Sequence, residues 1–152
     1  MSSNTKPIGV AYEDQNIVGA DIVNATAVSG TDINGVDIYA SDELGYAAAA
    51  QGTVTQATSK STAVTLNTSA GRITMNNAAL AGNTAVSFTL TNSLISAKDV
   101  IILNVSGGAT AGAYTTYVSS MTAGSADITL RNLTAGSLSE AVILNYAIIH
   151  CA

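Results

Sequence analysis

Residues 52–67 read GTVTQATSKSTAVTLN, and this stretch decides the fold. Before it the chain is acidic and rich in turn formers. From it onward charges are sparse and apolar residues return at every second position. Val64 and Leu66 flank Thr65, and Ile73 and Met75 flank Thr74. Val86, Phe88 and Leu90 alternate with Ser87, Thr89 and Thr91, and Ile128 and Leu130 with Thr129 and Arg131. A period of two sets one side of a segment against a core and the other against water, as half-buried strands require. Residues 100–105 and 141–149 instead run apolar almost without a break, which suits a strand covered on both faces or one that faces a subunit. Residues 114–118 supply a further strand. Turn formers at Asn76-Asn77, Gly82-Asn83, Gly107-Gly108, Gly112, Gly124 and Gly136 separate these segments, giving the strand spacing of a sandwich. The expected fold is all-β: an antiparallel, jelly-roll-like β-sandwich of about seven or eight strands over residues 52–152, preceded by an extended arm over residues 1–51.

The arm carries Gly-x-Asp-Ile three times, starting at Gly19, Gly30 and Gly35. Each copy suits a short extended rung turned at glycine, with its isoleucine reaching inward. Such rungs bury one face only against the β domain, another copy of themselves or a foreign surface. Asn34-Gly35 is a favoured two-residue hairpin turn, because both residues tolerate positive φ. Residues 42–50, DELGYAAAA, are the one convincing helical stretch, with acids in the first turn and a run of the best helix former. One or two turns are expected there, acting as a joint, and residues 94–98 suit a single further helical turn.

Only 10% of the 152 residues are charged against 47% hydrophobic, and the mean hydropathy is +0.35, which favours a subunit of an assembly over a free monomer. The apolar runs fall well short of the ~18 residues that cross a bilayer. The first residues are polar with no apolar run behind them, so a secretory signal is not expected and synthesis and use in a cytoplasm are. A single cysteine, Cys151, excludes an internal disulfide framework. Residues 1–51 hold seven acids against Lys6, a net charge of −6, whereas residues 52–152 hold four bases against three acids, a net charge of +1. An acidic arm argues for a basic partner surface and against nucleic acid.

No catalytic constellation emerges, and the chain reads as no enzyme, with no cofactor. His150, the sole histidine, stands at the end of an apolar strand with no nucleophile or orienting group indicated. Cys151 lacks a Lys or Arg neighbour in sequence to lower its pKa. Asp32, Asn34 and Asp37 could offer oxygens to Ca²⁺, but their spacing is not that of an EF-hand loop and a turn with solvated acids is the better account. Glu13-Asp14 and Asp42-Glu43 are paired carboxylates, yet a chain without tryptophan offers a poor platform for sugar. The glycines at 107, 108 and 112 form no phosphate loop, since no Lys-Ser/Thr follows. The six tyrosines suit either an interface or half-buried strands.

Residues 52–67, then Gly71-Arg72-Ile73-Thr74, residues 87–93 (SFTLTNS), 121–125 (MTAGS) and 137–149 (SLSEAVILNYAII), resemble a β domain at the C-termini of tailed-bacteriophage virion proteins. The resemblance covers residues 52–152. It implies a non-enzymatic, commonly trimeric protein of the capsid decoration or head and tail fibre type. The last strand of that family usually ends in a basic residue where this chain has His150-Cys151-Ala152. The arm follows no fixed family pattern and lacks the long repetitive shaft of a fibre. The resemblance therefore implies a capsid decoration (cement) protein that binds the outer surface of the head and stabilises its lattice. The alternative is a trimeric tail-fibre or spike module that uses loops such as residues 106–113 on a host receptor. The partners implied are the major capsid protein and further copies of the chain as a homotrimer, with no nucleic acid and no membrane. The location implied is the capsid surface of the virion, after synthesis in the host cytoplasm. The residues expected to bind the capsid are Asp21, Ile22, Asp32, Ile33, Asp37 and Ile38, the isoleucines filling gaps and the aspartates facing basic groups.

Overall fold

The computed structural model describes residues 43–151, and their regular structure is all-β. Eight strands form: β1 (Gln51–Thr55), β2 (Val64–Thr65), β3 (Ala70–Thr74), β4 (Ala85–Thr91), β5 (Val100–Gly107), β6 (Tyr114–Thr122), β7 (Ser125–Asn132) and β8 (Ile143–Ile149). They make two four-stranded sheets, with orders β1-β3-β8-β5 and β2-β4-β7-β6. The alternation read from the sequence supplies the core between them. Ile73, Leu144, Tyr146 and Ile148 from the first sheet meet Val64, Phe88, Leu90, Ile128 and Leu130 from the second, all nearly inaccessible to water. Each full burial of such a side chain contributes about 1.5–3 kcal/mol.

Both sheets are mixed, which departs from the wholly antiparallel expectation. From β1 to β6 the chain passes to the other sheet at every connection; within the first sheet β1, β3 and β5 run one way and β8 the other, and within the second β2, β4 and β6 run one way and β7 the other. Parallel pairs then arise wherever two odd or two even strands are neighbours, at β1–β3 and β2–β4. The remaining pairs join an odd to an even strand and are antiparallel.

One row across the inner face of the first sheet shows how local sequence sets packing. Gly52, Gly71, Tyr146 and Leu103 stand side by side in register. A Cβ on Gly71 would come within 2.7 Å of Leu66 and 2.8 Å of the Tyr146 ring, so the missing side chains make room for both. The Tyr146 hydroxyl reaches the carbonyls of Leu66 (3.2 Å) and Thr68 (3.1 Å) and lies 3.4 Å from Nδ2 of the fully buried Asn92. Asn92 in turn donates to the Thr68 carbonyl at 2.8 Å. Tyrosine is tolerated this deep because its polar end is satisfied there.

Three expectations change. Residues 100–105 are not covered on both faces: β5 is an edge strand, and Val100 and Ile102 remain 50% and 55% exposed. Residues 43–47 are not helical, and only Ala48–Ala50 forms a 3-10 turn. A helix of one or two turns has no stability of its own, and tertiary ties oppose it. The Tyr46 hydroxyl donates to the Ile148 carbonyl, and Gln51 Nε2 donates to the Tyr46 carbonyl at 2.8 Å. Residues 93–98 form two tight turns instead of a helical turn. Side-chain oxygens of Asn92 and Asp99 accept from the backbone N–H groups of Leu94 and Ser96, a local competitor of the helix.

The long strands on one flank of the sandwich are both interrupted. The register of β5 against β8 shifts between Val105 and Gly107, and that of β6 against β7 between Val118 and Ser120. Bulges of this kind twist an edge and discourage the addition of a foreign strand.

Candidate functional site

The outer faces of the two sheets differ in chemistry. On the second sheet, strands β4, β7 and β6 present a lattice of hydroxyls. Thr129 lies 2.7 Å from Ser87 and donates to Ser119 at 3.0 Å, and Thr89 donates to Asp127 at 2.7 Å. These cross-strand bonds tie the hydroxyls of Ser87, Thr89, Ser119 and Thr129 to one another and to Asp127.

The outer face of the first sheet is divided across its strands. Its apolar half consists of Val100 paired with Ile149, then Ile102, Ala147 and Ala70 in register, with Gln51 at the end of that row. Val100, Ile102 and Ile149 are each about half exposed. The next row, Asn104, Asn145, Arg72 and Thr53, is wholly polar. A concavity of 370 Å³ lies where the rows meet, lined by Gln51, Thr53, Ala70, Arg72 and Asn145 above the Gly52–Gly71 pair. The Asn145 carbonyl oxygen accepts from Ser106 Oγ at 3.0 Å and from Arg72 Nε at 3.4 Å. The terminal nitrogens of Arg72 and the amide nitrogen of Asn145 have no acceptor among the described residues. Among the described residues His150–Asp99 is the one ion pair.

His150 has a partner that sequence reading missed. Asp99, buried in the loop before β5, accepts from Ser96 N (2.8 Å), Ser96 Oγ (2.7 Å) and Cys151 N (3.2 Å), and lies 2.9 Å from His150 Nδ1. The two Ser96 bonds, chiefly, hold the Asp99 carboxyl far below the usual carboxylate range against the opposing effect of burial. The His150 side chain is 54% exposed and that of Asp99 1%, so the pair ties the end of β8 to the start of β5. Only Ser96-x-x-Asp99 hinted at this, a local serine–carboxylate spacing. An aspartate behind a histidine can orient a general base, but the Cys151 thiol donates toward the Ile149 carbonyl (3.9 Å), not to His150. Cys151 is exposed.

A third cluster holds Lys60, which is buried and donates to the carbonyls of Asn76 and Glu140, both at 2.5 Å. Burial lowers its pKa, partly offset by the charge of Glu140. Glu140 Oε1 accepts from Thr110 N (3.0 Å) and Oγ1 (2.7 Å), bonds that hold its carboxyl below the ordinary range. Among the described residues its Oε2 and the Tyr114 hydroxyl are buried without a hydrogen-bond partner. Burial first, and the Glu140 carboxylate second, push the Tyr114 hydroxyl up to about 12. A concavity of 270 Å³ beside Tyr114 is lined by Val105 and Gly107 at the end of β5 and by residues of the loop between β5 and β6, among them Thr110 and Gly112. All these contacts brace loops at one end of the sandwich.

Asp21, Ile22, Asp32, Ile33, Asp37 and Ile38 lie outside the described residues, as do Glu13-Asp14 and Asp42. Among the described residues no group of three or more His, Cys, Asp and Glu is placed to hold a metal ion, and no helix is long and apolar enough to cross a membrane. Comparisons with protein families, curated proteins and solved structures give no match.

Proposed function

We propose that this chain is a capsid decoration protein of a tailed bacteriophage: a non-catalytic subunit that binds the outer surface of the head, contacts the major capsid protein and stabilises the lattice. The observation that carries the reading is the divided outer face of the first sheet, where Val100, Ile102 and Ile149 leave aliphatic surface uncovered on adjoining strands. An apolar patch framed by polar residues marks a contact surface. The resemblance of residues 52–152 to phage virion β domains supplies the kind of particle. The chain acts as a homotrimer at the capsid surface, after synthesis in the host cytoplasm, and engages neither nucleic acid nor membrane. Its acidic arm steers docking, with Asp21, Asp32 and Asp37 facing basic groups and Ile22, Ile33 and Ile38 buried between capsid subunits. Exposed charge pairs are individually worth about 0–1 kcal/mol, whereas burial of one isoleucine contributes about 1.5–3 kcal/mol, so the isoleucines set the release rate.

The test is rebinding to heads stripped of the protein. Replacing the three isoleucines by serine should speed dissociation, and replacing the three aspartates by asparagine should chiefly slow association and flatten its salt dependence. A chain lacking residues 1–40 that decorates heads with unchanged affinity overturns the role of the arm. Absence of the protein from purified heads overturns the reading as a whole. The concavity beside Tyr114 favours a second reading, a trimeric tail-fibre or spike module whose loop over residues 106–113 contacts a host receptor. Copy number separates the two, since a decoration protein is present in many copies per head and a spike in few.

A further inference from the structure

We propose that the free edge of β1 is a self-association edge, at which two copies of this chain join their first sheets by pairing β1 with β1, antiparallel, about a twofold axis through Thr53. The inference goes beyond the function proposed above: it concerns how copies meet one another, and it holds whatever they are attached to.

The four sheet edges are not alike. β5 and β6 end their sheets on one flank, and the pairing of each is interrupted by a register shift. β2, the other end of the second sheet, is two residues long. Bulges and shortness both spoil an edge as a template for a further strand. β1 has neither defence. Its five residues pair with β3 in unbroken register, and Gln51-Gly52-Thr53-Val54-Thr55 contains no charge and no proline.

Backbone direction fixes which groups this edge offers. The Gln56 N–H donates to the Thr74 carbonyl, so residue 56 faces β3, and by alternation Val54 and Gly52 face it too. Thr53 and Thr55 then direct their N–H and C=O groups away from β3, and among the described residues those groups have no other backbone partner. The Gln51 carbonyl points the same way, while the Gln51 N–H is held by the Ala48 carbonyl.

A second copy is the occupant because the edge is complementary to itself. With the axis at Thr53, Thr53 faces Thr53, Gln51 faces Thr55 and Gly52 faces Val54. Each Thr53 N–H meets the Thr53 carbonyl of the other copy, and each Thr55 N–H meets the other's Gln51 carbonyl. On the outer face two threonines stand side by side at the axis, a favourable cross-strand pair. On the inner face Val54, which is half-buried and packs on the core as Leu66 does, gains cover that the free edge lacks. The chain is acidic as a whole, but the only charged side chain in the strands of this sheet is Arg72, one strand in from the edge, so pairing sets no like charges opposite each other. Such a contact is isologous and closes at two copies, which separates it from any threefold contact.

The test is sedimentation and amide hydrogen exchange of the full chain, in reductant, from micromolar to millimolar concentration. Even-numbered assemblies should form, and in them the Thr53 and Thr55 amides should exchange at least about tenfold more slowly than in the dissociated chain, while that of Val54, already bonded to β3, changes little. Thr53→Pro removes an N–H that the β1–β3 ladder does not use, so it should leave the melting temperature nearly unchanged and weaken association at least about tenfold. Thr53→Lys and Thr53→Glu should each weaken association alone and restore it when mixed, because only an axis at residue 53 sets the two charges opposite each other. These two variants change an exposed side chain and carry the test if the proline variant fails to fold. Absence of even-numbered species at millimolar concentration, protection of Thr53 in the dissociated chain, or failure of the mixed Lys and Glu variants to associate overturns the proposal. So does association that Ile102→Ser abolishes and the Thr53 variants leave unchanged, since the outer face of the sheet is then the contact.

Discussion

Replacing Gly71 by alanine should destabilise the sandwich, and the sign of the effect turns on one neighbour. The backbone of Gly71 is ordinary, since positive φ among the described glycines occurs only at Gly108, Gly112 and Gly124. Alanine in place of glycine at an unstrained position stabilises by about 0.4–1 kcal/mol through the unfolded chain. Against this stands a Cβ placed 2.7 Å from Leu66 Cδ2, 2.8 Å from Tyr146 Cε1 and 3.0 Å from Tyr146 Cζ. Leu66 is only half buried and can turn aside. Tyr146 cannot, because its ring is buried and its hydroxyl is held among Thr68, Asn92 and the Leu66 carbonyl. Overpacking of a fixed neighbour costs about 1–3 kcal/mol, which leaves a net loss of about 1–2 kcal/mol. For a domain of this size that lowers the melting temperature by about 4–8 °C. The assay is urea and thermal denaturation of Gly71→Ala beside Gly136→Ala, where an added Cβ meets nothing within 4 Å. In a Tyr146→Phe background, with the ring released from its hydrogen bonds, the cost of Gly71→Ala should shrink, a coupling that a double-mutant cycle measures. A neutral or stabilising Gly71→Ala, or full additivity with Tyr146→Phe, refutes the reasoning.

Acid should weaken the fold through Asp99. Its pKa in the folded chain lies below its value in the unfolded chain, so its contribution is complete above about pH 4 and is lost as pH falls. Asp99→Asn should therefore reduce the acid dependence of stability by about one proton, and an unchanged slope counts against the assignment. In an ultraviolet titration Tyr114 should ionise at about 12, later than an ordinary phenol, and Tyr114→Phe should delete that late step. Lys60→Ala should cost about 2–3 kcal/mol in denaturant titration, because the carbonyls of Asn76 and Glu140 lose their donor; a loss under about 0.5 kcal/mol sinks that account.

Much of the fold was legible because it depends on local alternation. Val86, Phe88 and Leu90, like Ile128 and Leu130, needed only their immediate neighbours to announce a strand and its inner face. The position of β5 was not legible, since an unbroken apolar run looks alike whether a second layer or a partner covers its outer side. Propensity points to helix over residues 42–50, and one tertiary hydrogen bond from Tyr46 with one local bond from Gln51 outweighs propensity over so short a stretch. The polar row of the first sheet lay beyond sequence reading altogether. Thr53, Arg72, Asn104 and Asn145 form a row only through the pairing of four strands, and none of those pairings is signalled by spacing along the chain. The same holds for Asp99 and His150, which are 51 positions apart.

The place of β8 sets a timetable for synthesis. It is the last of the eight strands to be made, yet it lies between β3 and β5 and is the only link joining them in their sheet. Until it arrives, β1 and β3 are a detached ribbon, and β5 has no partner within its sheet. At 5–20 residues per second the ribosome needs roughly 4–15 s to travel from the end of β3 to the end of β8. Throughout that interval Ile73, Phe88 and Leu90 have only half of their eventual surroundings, and the nascent chain depends on holding factors or on its own solubility. Shortening the chain within β8 then leaves no smaller domain behind, because the first sheet falls into two parts.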